Sequence, residues 1–181
     1  MSRDAGGKRG GKGESPPRKV SPEKARDKVF ATALKILAAR PRSESQLRER
    51  LLSRPWAEPE AVDACIERLK ELGYVNDRTF AESYANHRVN LKPVGRSRIA
   101  RELAGKKVSR ETISKALDNV FEEVGEDALI DRAIEKRMRT YGRPTDQNGA
   151  KRMFDHLARL GFEYDLIVRK LRALRASIEE E

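Results

Sequence analysis

Three observations predict an all-α fold of three tandem three-helix, helix-turn-helix-like repeats in an elongated, curved arrangement. Apolar residues recur at helical spacing almost throughout, and no segment alternates as a strand would. Matching positions recur after 52 residues (Leu51 to Leu103) and again after 54 (Leu103 to Leu157), a period typical of stacked helical units. Charged and hydrophobic residues each make up 38% of the 181 residues and aromatics only 6%, which suits thin helical layers better than one large core.

Taken in order, residues 1–22 are rich in Gly, Pro, Ser and charge and read as a disordered basic tail. Gly6, Gly11 and Lys12 come close to a phosphate loop, but Gly13 stands where Ser or Thr is needed and no strand precedes it. Ser21 and Pro22 are suited to N-cap and N1 of the first helix. Unit one spans 23–75: Phe30, Leu34 and Leu37 mark its first helix, a Ser43–Gln46 capping box followed by Leu47 and Leu51 its second, and Pro59 with Val62, Ile66 and Leu69 its third.

Unit two spans 76–122 and unit three 123–176, leaving an acidic end at 177–181. First-helix pairs Phe30/Leu34, Phe80/Tyr84 and Ile134/Met138 correspond. So do second-helix pairs Leu47/Leu51, Ile99/Leu103 and Met153/Leu157, and third-helix pairs Val62/Ile66, Ile113/Leu117 and Ile167/Leu171. The connections agree too: Phe80 to Ile99 and Ile134 to Met153 are both 19, and Leu103 to Ile113 and Leu157 to Ile167 are both 10. Unit one departs slightly, with 17 and 11. Each unit offers a small core and must bury surface against its neighbours.

The joint between units one and two is ELGYVNDRTFAESY, residues 71–84. Gly73 is placed to end a helix in the left-handed C′ conformation, with Tyr74 at C″ packing back on the last turn. Asn76 is a natural N-cap, Asp77 at N1 favours the positive helix end, and Val75 and Phe80 have the spacing of a hydrophobic staple. Together with Tyr84, these residues are expected to set the angle between two units.

Charge is uneven. The whole chain carries 39 Lys and Arg against 29 Asp and Glu, net +10, which points to a polyanion or an acidic protein surface as partner. Residues 78–110 carry net +7, 111–131 net −6 and 132–175 net +7. The first basic block contributes Arg88, Lys92, Arg96, Arg98, Arg101, Lys106 and Lys107; the second contributes Lys136, Arg137, Arg139, Lys151, Arg152 and Arg159. Lys106 and Lys107 also suit a helix C-terminus. Two basic faces about an acidic patch suit a protein that lies along something of alternating charge, of which a nucleoprotein filament is one example.

No catalytic, metal-binding or cofactor-binding set emerges. His87 and His156 lack partners at metal-ligand spacing, and neither has a nucleophile or orienting group nearby in sequence. Glu122, Glu123, Glu126 and Asp127 do not have calcium-loop spacing with its required glycine. Trp56 reads as a packing plug. Cys65 is the only cysteine and lies on an apolar face, so it reads as a structural thiol in a reducing cytosol. The absence of a long apolar run predicts no membrane span.

The pieces ARPRSESQLRERL, IERLKELGYVNDRTFAESYANHR, VGRSRIARELAGKKVSRETISKAL and, more loosely, RLGFEYDLIVRKL resemble the RecX family of RecA regulators, over roughly residues 30–176. The Gly-Tyr-x-x-Asp-x-x-Phe-Ala core is the most specific of them, and the family usually has Asp where this chain has Asn76. The resemblance implies tandem three-helix repeats, binding along the groove of the RecA–DNA filament, and inhibition of its ATPase, strand-exchange and coprotease activities. It implies RecA and its filament as partners, with no enzyme activity and no cofactor. Direct DNA contact and a monomeric state are further expectations. An autonomous helix-turn-helix-like DNA-binding protein stays as the alternative, weakened by the scarcity of Asn and Gln on the Arg-rich second-unit helix, and a helical scaffold for another partner is a third.

Overall fold

The computed structural model describes residues 22–179 and is all α, with no strand among them. Nine helices among the described residues form three tandem triplets: α1 (Pro22–Ala39), α2 (Glu44–Leu52) and α3 (Pro59–Glu71); α4 (Asp77–Leu91), α5 (Arg96–Ala104) and α6 (Arg110–Val124); α7 (Glu126–Tyr141), α8 (Gln147–Leu160) and α9 (Tyr164–Glu179). The predicted tail, apart from Pro22, lies outside the described residues, as do the Ser21 cap and the last two glutamates.

Local chemistry fixes the helix ends. Ser43 accepts a bond from the Gln46 amide, Ser109 from that of Thr112, and Asp146 from that of Gly149, each satisfying an orphan N-terminal donor. Gly125, at φ +75°, is the single residue between α6 and α7, so the second triplet turns directly into the third.

The second-helix columns are buried as the sequence predicts: Leu47, Leu51, Ile99, Leu103, Met153 and Leu157. Third-helix residues Val62, Ile66, Ile113, Leu117 and Ile167 are buried too, whereas Leu171 is only partly so. The first-helix column needs correction. Val29 and Ala33 in α1, and Ala81 and Ala85 in α4, hold the buried positions. Phe30, Leu34, Phe80 and Tyr84 sit beside them, half-buried. Small residues win because α4 packs along α6, where Ala81, Ala85 and Ala116 let two backbones approach. Ile134 is buried and Met138 half-buried.

Two hydrophobic cores result. One belongs to the first triplet and runs from Val29 to Val75. The other is continuous through the second and third triplets, from Ala81 to Ile167. Cys65 lies in the first core, where burial raises its thiol pKa. Trp56 packs against the same core with the Lys28 ammonium 4.1 Å from its ring centroid.

Candidate partner-binding surface

Two joints position the basic residues, and both follow one plan. At the first, helix α3 ends in a Schellman motif: Tyr74 N donates to Leu69 O at 2.8 Å and Gly73 N to Lys70 O at 3.0 Å, with Gly73 at φ +75°. Asn76 caps α4 by accepting from Arg78 N and Thr79 N. Two details differ from expectation. Tyr74 is 60% exposed, so its ring does not pack back on α3. Val75 enters the first core while Phe80 lies against the second, stacked on Tyr84 at 6.3 Å, so the staple spans two cores instead of closing one.

Asp77 does more than meet its own helix dipole. Its Oδ1 accepts from the Glu44 amide at 2.7 Å, capping α2 from the next unit. Burial raises its carboxyl pKa, against the pull of that backbone bond. Beside it, the Ser43 hydroxyl donates to Lys106 O and that of Ser45 to Lys107 O, and Lys107 pairs with Glu49. The start of α2 therefore abuts the end of α5.

The second joint repeats this. Glu126, at N1 of α7, accepts from the Arg96 amide at 3.1 Å, and burial raises its carboxyl pKa too. Gly95 N donates to Leu160 O and Ser97 N to Gly161 O, so the start of α5 abuts the end of α8. The backbones touch here. A Cβ on Gly161, which has φ +92°, would lie 2.4 Å from Arg98 N, and one on Gly95 would lie 2.4 Å from the Gly161 carbonyl carbon.

The thirteen predicted contact cations fall into different settings. Arg88 is bound into the protein: its guanidinium grips Glu102 at 2.7 and 2.9 Å, a carboxylate that also accepts from Tyr84 Oη at 2.9 Å and Arg98 Nε at 3.2 Å. Arg96 pairs with Asp118 at 2.6 Å, Arg139 with Glu135 at 3.5 Å, and Lys107 with Glu49. Lys106 lies 4.8 Å from the Tyr84 ring centroid. Lys92, Arg101, Lys136, Lys151, Arg152 and Arg159 are exposed.

At the second joint, Arg98, Arg137, Arg152 and Arg159 line one pocket of about 830 Å³ with Tyr141, His156 and Leu160, and no carboxylate. Arg98 Nη1 donates to Arg159 O at 3.4 Å, and Arg137 lies 4.9 Å from the Tyr141 ring centroid. Burial first, then the neighbouring Arg137 and Arg159 charges, lowers the His156 pKa. Arginine side chains are the groups that pair in a bidentate way with phosphate or carboxylate oxygens.

Sequence reasoning missed Tyr141 and His156 as members of this set, along with the paired glycines that bring α5 to α8. A glycine directly after Leu160 is an ordinary helix stop; only the fold puts Gly161 against Gly95. Among the described residues, no group of three His, Cys, Asp or Glu side chains is placed to hold a metal ion, and no helix is long and apolar enough to cross a membrane.

Known proteins resemble this chain over most of its length. The family model for the first three-helix domain of RecX matches residues 30–69, and that for the second three-helix domain matches 76–117. The regulatory protein RecX of Streptomyces coelicolor is 33% identical over 170 residues, covering 94% of this chain and 85% of that protein. That of Clostridioides difficile is 32% identical over 145 residues, covering 78% of this chain and 66% of that protein. The crystal structure of RecX from Lactobacillus salivarius superposes with a TM-score of 0.76 at 23% identity, over 85% of this chain and 99% of that one.

Proposed function

This chain belongs to the RecX family, and from that premise we propose that it regulates a RecA recombinase in recombination and DNA repair. It binds the RecA–DNA filament and mainly inhibits its ATPase, strand-exchange and coprotease activities. It does so as a monomer in the cytoplasm, as a binding protein and not an enzyme. The observation that supports this reading is the arginine pocket between α5, α7 and α8. Four arginine side chains line it and no carboxylate does, although Arg98 is also bonded to Glu102, at a joint whose geometry two glycines fix. Phosphates of filament DNA and carboxylates of the recombinase surface both suit it.

The test is DNA-dependent ATP hydrolysis by RecA, titrated with folded protein. Hydrolysis is expected to slow at substoichiometric to equal amounts, and an unchanged rate across a wide titration would sink the reading. Arg152→Glu/Arg159→Glu is expected to weaken filament binding on the order of tenfold or more, the equivalent of about 1.4 kcal/mol, with helical content native. Binding to naked DNA of the same length as tight as to the filament would favour the autonomous DNA-binding alternative.

A further inference from the structure

A second concavity lies between the first two triplets and shares no lining residue with the arginine pocket. It has a volume of about 1090 Å³ and runs between the second half of α1 and the first half of α4. Its apolar lining comes chiefly from Leu34, Leu37, Phe80 and Tyr84. Exposed Tyr74 completes one side.

The polar lining has one sign. Arg40, Arg42 and Lys106 contribute cations, and none of the sixteen lining residues is Asp or Glu. Arg42 Nε is buried without a hydrogen-bond partner; burial, then Arg40 and Arg50, lowers the Arg42 pKa. An unpaired buried donor is unfavourable, and the rest of the Arg42 side chain, only half-buried, lines the groove where an acceptor can meet it. Two basic groups of the same triplet already have acids, Arg48 with Glu44 and Asp63 and Lys70 with Glu44 and Glu67, which leaves Arg40 and Arg42 as the cations of the α1–α2 turn that face the groove.

We propose that this groove seats an acidic, amphipathic helical segment of a protein partner, its apolar side chains on Leu34, Leu37 and Phe80 and a carboxylate on Arg42. The proposal deepens the filament reading, on which the partner's identity rests, by assigning a protein contact distinct from the arginine pocket. An apolar trough between two helices suits a third helix. Nucleic acid fits less well, because Leu34, Leu37, Ala38 and Pro41 offer aliphatic surface where bases need flat faces. The Tyr84 ring already has Lys106 on it and its hydroxyl on Glu102.

The probe is a fluorescent peptide of about 14 residues, some four turns of helix, with Leu and Phe at i, i+3, i+4 and i+7 and Glu elsewhere. Saturable binding to the full chain is expected, weakened about tenfold or more by Arg40→Glu/Arg42→Glu and by Tyr74→Asp, and unchanged by Arg152→Glu/Arg159→Glu. Tyr74→Asp, at an exposed side chain, decides the matter if the double reversal does not fold. Three results overturn the proposal: no saturable binding up to roughly millimolar peptide, equal binding of the same peptide with Lys for Glu, or displacement of the peptide by an oligo-dT of about 12 nucleotides. RecA inhibition that persists without peptide binding removes this groove alone. Peptide binding without RecA inhibition removes the filament reading and leaves the groove standing.

Discussion

At the scale of single residues, Glu102 connects the basic surface to the core beneath it. Burial pushes its carboxyl pKa up, but the bonds from Arg88, Tyr84 and Arg98 outweigh this and hold it below the ordinary glutamate value. A carboxylate with a depressed folded pKa contributes stability that is present above its unfolded value, about 4.5, and is lost as pH falls through the folded one. Glu102→Gln removes the charge and keeps the shape, so we expect a loss of about 2 kcal/mol at pH 7 and a shallower decline below about pH 4.5. Urea unfolding at neutral and acid pH measures both, and equal acid slopes for the two proteins would disprove the assignment. Asp77 and Glu126 have the opposite sign, since burial raises their carboxyl pKa values; their share is greatest at low pH and is lost as pH rises through the raised values. The sequence revealed Arg88 as a cation and Asp77 as a helix-start acid because both follow from local spacing. It could not reveal that Asp77 caps the helix 33 residues before it, because that bond depends on how two units dock.

At the scale of elements, the second helices are arranged tail to head: the end of α8 meets the start of α5, and the end of α5 meets the start of α2. Their dipoles therefore reinforce one another, and at each meeting point an acid at N1 of the following triplet caps the exposed amide. Gly161 is where the second meeting is tightest. Gly161→Ala places a Cβ into Arg98 N and forces a side chain onto φ +92°, so a loss of about 3 kcal/mol is expected from strain and displacement together. Gly73→Ala carries only the backbone strain, because nothing lies within 4 Å of its Cβ, and about 1 kcal/mol is expected. The order of those two losses is the check, by chemical denaturation, and a reversed order would refute the close-packed joint. Helix number, order and some of the ends, among them Ser43, Pro59, Gly73 and Asn76, were legible in the sequence, since caps and apolar spacing are local. The first-helix core column was not: Phe30 and Val29, or Phe80 and Ala81, satisfy the same periodicity one position apart. What decides between them is how closely α4 approaches α6, which no local pattern encodes.

At the scale of the whole molecule, the three repeats are not equal partners. The core is continuous across the second and third triplets but separate in the first. The junction described between the first and second is mainly polar: Glu44 with Asp77, Ser43 with Lys106, and Lys107 with Glu49. Exposed ion pairs contribute little, about 0–1 kcal/mol each, whereas shared apolar burial contributes about 25 cal/mol per Å². In an array whose stability is the sum of unit and interface contributions, the first triplet should therefore open without the other two. Native-state hydrogen exchange measures this directly, because each cooperative unit reports its own opening free energy. Amides of α2 and α3 should exchange through an opening at least about 1–2 kcal/mol below that governing α5, α6 and α8. Breaking the polar junction with Asp77→Ala should lower the first value by about 1 kcal/mol, the worth of a lost cap, and leave the second nearly unchanged. A single opening free energy for all three triplets would show the junction to be as strong as the shared core. The groove between α1 and α4 would then be a fixed feature of one rigid body, and a ligand seated there would not need to order it.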